Sequence, residues 1–117
     1  MTRNGDKIRQ KRLRQLAAMA HERELAAALQ ALHQQFDEWQ TKKIDTFELS
    51  DRIHQFHQQT AREIWKMYVN ADHNQAALLV SRALKLKILA ADEVGQDLVE
   101  QLAPLADFFQ DGASDDQ

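Results

Sequence analysis

Apolar residues recur along this chain at helical intervals, with no sustained alternation of the kind a strand would need. Leu25, Leu29, Leu32, Phe36 and Trp39 follow one another at steps of four, three, four and three, a coiled-coil-like seam on one helical face. Upstream the pattern loosens to Leu13, Leu16, Met19 and scattered alanines, which permit close helix approach but supply little burial. A first helix is predicted over about residues 6–41. Asp45 then stands as an N-cap with Glu48 three residues on, and Ile44 and Leu49 flank them as a hydrophobic staple. The second helix, about 46–69, places Leu49, Ile53, Phe56, Thr60, Ile64 and Met67 on its main face. Asp72 and Gln75 open a third helix over about 73–89, apolar on most sides. A fourth starts at Asp92 or Asp97, with Val94, Leu98, Leu102 and Leu105 as its seam and with Gly95 and Pro104 breaking it into short pieces.

The expected fold is therefore all-α. It is a helical bundle of three main helices plus a short broken fourth, with a long N-terminal helix, an antiparallel first pair and the third helix in the centre. Three Gly, one Pro and an abundance of good helix formers fit that class, because a β-rich chain needs more turns. Leu29, Leu32, Phe36, Ile53, Phe56, Ile64, Leu79 and Leu86 are the expected core. A helix of ~36 residues would be about 54 Å long, more than a domain of this size spans, so its polar start should protrude. The predicted organisation is a basic helical extension at 1–15, one bundle domain at 16–109 and a disordered acidic tail at 110–117.

Charge sharpens this picture. The net −3 conceals a balance of +5 in residues 1–14, none in 15–91 and −8 in 92–117. Arg3, Lys7, Lys11 and Arg14 share one side of the first helix and are candidate phosphate contacts; Arg9 and Arg12 point elsewhere. The alternatives for this arm are a solvated helix end or docking on the chain's own acidic segment. A membrane role is the least favoured, since only Ile8 and Leu13 are bulky apolar residues there. The chain has no Cys and no apolar run long enough to cross a membrane, and a cytoplasmic location is expected.

Candidate chemistry is sparse. Asp51, His54 and His57 lie at three-residue steps, but they spread over about 120° of a helix, and only His33 and Asp37 could complete a metal site from the first helix. Ser50 sits one turn from His54 with no glycine-rich turn nearby to form an oxyanion hole. No catalytic, cofactor or metal residue is assigned, and no small-molecule substrate is identifiable. A second stripe of helix two is more informative. Phe47, His54, Ala61, Trp65 and Tyr68 fall about 120° from its main face, so one neighbour cannot cover both. They form a candidate protein interface, for a partner or a second copy, unless a later helix of the same chain covers them.

The run IDTFELSDRIHQFH followed by AREIWK resembles small all-helical bacterial proteins of unknown function. The likeness implies a bacterial source and no assigned activity. From the residues themselves, the preferred reading is a non-enzymatic interaction or regulatory module working through helix–helix contact. A nucleic-acid-associated protein using residues 3–14 is the alternative, and a metal-binding bundle the third.

Overall fold

Ala, Leu, Gln, Glu and Arg crowd the first forty positions with no internal proline, and they form one uninterrupted helix, α1, Thr2–Gln40. The computed structural model describes the backbone of residues 2–69 and 73–115 and the side chains of 5–69 and 75–105. The protein is all-α, with no strand among the described residues.

Helix α1 ends in a tight left-handed turn. The Lys43 N–H donates to the Glu38 carbonyl at 2.8 Å and the Lys42 N–H to that of Trp39 at 3.1 Å. Lys42 takes φ 66° where glycine is the commoner choice. Asp45 then caps α2 (Thr46–Gln55), its Oδ1 accepting from the Glu48 N–H at 2.7 Å. Ile44 and Leu49, before the cap and at the fourth helical position, are both buried, as the staple requires. A π-helical turn, Phe56–Ala61, follows without a break, and α3 (Arg62–Val69) continues the rod.

The same corner is built a second time. After α4 (His73–Lys85), Lys87 takes φ 63° and the Ile88 N–H donates to the Ala83 carbonyl at 2.8 Å. Leu89 and Val94 are the buried staple, and the Ala90 N–H donates to Glu93 Oε1 at 2.9 Å. The next helix, α5, therefore starts at Ala91, ahead of the expected Asp92 or Asp97, and ends at Val94. Gly95, at φ 98°, separates it from α6 (Gln96–Asp115). Pro104 lies inside α6 and does not break it. It sits on the exposed side of the helix. The tail expected at 110–117 meets helix as far as Asp115, while its side chains, like those of Asp72, Phe108 and Phe109, lie outside the described residues.

The chain forms two units, one of Met1–Ala20 with Ala71–Gln117 and the other of His21–Asn70. In the first, Leu13, Leu16, Ala17 and Ala20 of α1 are buried, as are Ala76, Leu79, Val80 and Ala83 of α4 and Leu98 and Leu102 of α6. Leu16, Val80, Ala20 and Ala83 are fully buried, so small side chains here allow close approach and a dense centre. Within the expected 1–15 extension, residues 5–12 are exposed apart from half-buried Gln10, and burial begins at Leu13. Helix α4, the third of the expected main helices, packs against α6 in this unit.

The second unit is an antiparallel hairpin of residues 21–40 against α2, the π turn and α3. Trp39 Nε1 donates to Thr46 Oγ1 at 3.1 Å near the turn. Arg52 reaches Glu38 at 3.4 Å and Glu48 at 2.7 Å. At the open end the Tyr68 hydroxyl donates to Glu24 Oε1 at 2.6 Å, and its ring stacks on His21 with centroids 4.7 Å apart. The buried set is small: Ile44, Leu49, Ile64 and Tyr68. Of the eight expected core residues only Ile64 and Leu79 are buried. Leu29, Phe36, Ile53 and Leu86 are exposed, and Leu32 and Phe56 are half-buried.

Candidate interaction face

The hairpin exposes its strongest apolar pattern for a geometrical reason. The α1 residues that meet the other arm are His21, Glu24, Ala28, Ala31, Leu32, Gln35, Glu38 and Trp39, which contact Tyr68, Arg52 or Thr46 or line a cleft of ≈ 280 Å³ with Arg52, Phe56 and Thr60. At 100° per residue, Leu25, Leu29 and Phe36 lie about 75–115° round from that direction. The seam therefore looks sideways, and Leu29 is 48% exposed. The cleft itself holds one buried oxygen, Gln35 Oε1, with no hydrogen-bond partner among the described residues.

The other arm repeats the arrangement with a twist supplied by the π turn. Each i→i+5 turn holds more residues than an α turn, and a six-residue π segment absorbs about one extra residue. Everything beyond it is set back by about 100°. With a constant helical period Tyr68 falls about 100° from Leu49; after the π turn the two share a face. This is why Tyr68 is 8% exposed and bonded into the hairpin.

The expected stripe of Phe47, His54, Ala61, Trp65 and Tyr68 is thereby split. Phe47, at 82% exposure, and His54 lie on the far side of α2, where His54 Nε2 stands 3.2 Å from Gln58 Nε2. Tyr68 is core and is withdrawn from the interface. Ala61, half-buried, and Trp65, 54% exposed, turn to the flank that also carries Ile53. On α2 and α3 these residues lie about 80–100° round from the side facing α1. The arms run antiparallel, so displacements of the same sign bring Leu25, Leu29 and Phe36 to the same flank as Ile53, Ala61 and Trp65. Exposed apolar side chains of both arms thus share this flank. Charge reaches it from Arg62, which lines a cleft with His57, Ala61 and Trp65, and from Glu22 on the α1 side.

Sequence reasoning found most of these residues but put them on the wrong surfaces. The missing signal was the π turn, since FHQQTA contains no glycine or proline to announce it.

The other candidates take different places. Arg9 Nη1 donates to Gln101 Oε1 at 3.0 Å and Arg12 Nη2 to the Glu93 carbonyl at 2.6 Å, so two of the basic groups are engaged by the acidic C-terminal part of their own unit. Lys7, Lys11 and Arg14 are exposed on the side away from Leu13 and Leu16; the side chain of Arg3 lies outside the described residues. His33, His54 and His57 are exposed, and no three of His, Asp and Glu among the described residues are grouped to hold a metal ion. No described helix is long and apolar enough to cross a membrane. Comparison with protein-family models, curated proteins and solved structures gives no match.

Proposed function

We propose that this protein is a non-enzymatic interaction module that works through helix–helix contact. The observation that supports the reading is the hairpin flank of Leu29, Phe36, Ile53 and Trp65, large exposed apolar side chains that helical geometry gathers on one side. Aromatic side chains such as Phe36 and Trp65 are favoured anchors at the centre of a protein interface. A photoreactive side chain at position 65 of the full chain, expressed in cells, should give a discrete cross-linked product, and one at position 47 should not. Equal cross-linking from both positions would remove the basis of this reading.

A second reading rests on the exposed Lys7, Lys11 and Arg14 as phosphate contacts. Three such contacts imply a salt slope of only about −2 to −3 for duplex DNA, with weak binding. The carboxylates of Asp6 and Asp97, which share a cleft with Arg9 and Arg12, oppose it further. Anisotropy of labelled DNA and RNA across salt concentrations decides the matter. Binding that vanishes in Lys7→Gln/Lys11→Gln/Arg14→Gln would favour this reading, and no binding at low salt would end it.

A further inference from the structure

We infer that the occupant of the hairpin flank is a second copy of the same hairpin, giving a two-fold four-helix bundle; the inference rests on the interaction reading above and names its partner. The flank is two helices wide. Arms of 20 residues or more are about 30 Å long, and two helices 8–10 Å apart present a width of roughly 20 Å. The footprint is roughly 600 Å² in projection, close to the ~800 Å² per partner of a standard stable interface.

A single docked helix would fill only the groove between the arms and leave half of that footprint wet. Another antiparallel hairpin matches it in both dimensions, as in four-helix bundles. Charge points the same way. The flank carries no cluster of one sign that would select an acidic or basic partner, and residues 21–70 hold six basic and eight acidic groups, too balanced to repel a copy. Two-fold pairing places the same patch on both sides, so Leu29, Phe36, Ile53 and Trp65 of one chain meet the same set of the other.

The side chains concerned are already exposed, so changing them should leave the hairpin's own contacts in place. Trp39 and Tyr68 bond within the hairpin and are left untouched in the association variants.

Sedimentation equilibrium of the full chain, from low micromolar to near-millimolar concentration, tests the inference. Twice the 13.5 kDa chain mass is expected at the upper end. Leu29→Glu should weaken association at least ~30-fold while leaving the helical circular-dichroism signal unchanged, and Trp65→Gln should act in the same direction. Phe47→Gln, on the far side, should change association by less than about two-fold. In a Trp39→Phe background Trp65 is the sole indole, and its emission should shift to the blue as dimer forms. A monomer at all concentrations with Trp65 open to a soluble quencher overturns the second copy but leaves the interaction reading standing. A monomer whose Trp65 is shielded from the quencher overturns both, because the flank is then covered by its own chain. A dimer indifferent to both Leu29→Glu and Trp65→Gln assigns association to another surface and overturns the inference.

Discussion

The two units of this chain are built around the same helical corner and end in opposite states. Each has a lysine in the left-handed conformation, Lys42 or Lys87, followed by a buried staple, Ile44 with Leu49 or Leu89 with Val94. In the unit of α4, α5, α6 and the start of α1, that corner opens onto a third helical segment, and Leu16, Val80 and Leu89 are fully enclosed. In the hairpin there are only two arms, and its bulkiest apolar residues remain on the outside. The difference teaches that the strength of an amphipathic pattern does not say where the core is. The regular seam of Leu25 to Trp39 marks a face left largely exposed, whereas the irregular run around Leu13, Ala17 and Ala20 is buried.

The comparison can be broken most severely in the closed unit. Leu16→Ala should cost ~2–5 kcal/mol, because a fully enclosed leucine leaves a cavity that its neighbours cannot fill; chemical denaturation measures it. The same truncation at Leu29, which is half-exposed, should cost well under ~1 kcal/mol in the dilute protein. Equal costs would mean that the two units are equally closed. In the hairpin, Tyr68→Phe removes the donor to Glu24 and should cost ~1–2 kcal/mol by the same measurement. No loss would place Tyr68 back among the surface residues. Asp45→Ala removes the cap of α2 and should cost ~1 kcal/mol. The smallest effect tests the shared corner: Lys42→Gly and Lys87→Gly should each stabilise by a few tenths of a kcal/mol up to ~1, with matching signs, since both relieve a left-handed backbone at a non-glycine residue.

What was legible in the sequence follows from how local each signal is. The cap at Asp45 and its staple are encoded within six residues, and they are found where the pattern puts them. The helical class is equally plain, because propensity and the scarcity of glycine and proline act along the whole chain. The faces were legible only while the period stayed constant. One π turn in an unremarkable stretch, Phe56–Ala61, rotated Trp65 and Tyr68 away from Phe47 and His54 and took the interface apart. Burial at the start of α1 was concealed because alanine contributes little to an amphipathic pattern, although its small size is what lets Ala17, Ala20 and Ala83 sit in a close-packed centre. The role of Arg9 and Arg12 was half legible. Their position off the basic stripe was evident, but their partners, Gln101 and the Glu93 carbonyl, lie more than eighty residues away in sequence.

The central claim, one unit closed on itself and one completed by a second copy, is tested most directly by native-state amide hydrogen exchange at low and high protein concentration. Amides of residues 13–20, 76–83 and 98–102 should exchange with the same protection at both concentrations. Those of residues 25–39 and 49–68 should open more readily in dilute protein and gain protection as concentration rises. Protection in the hairpin that is independent of concentration and equal to that of the closed unit would contradict the account.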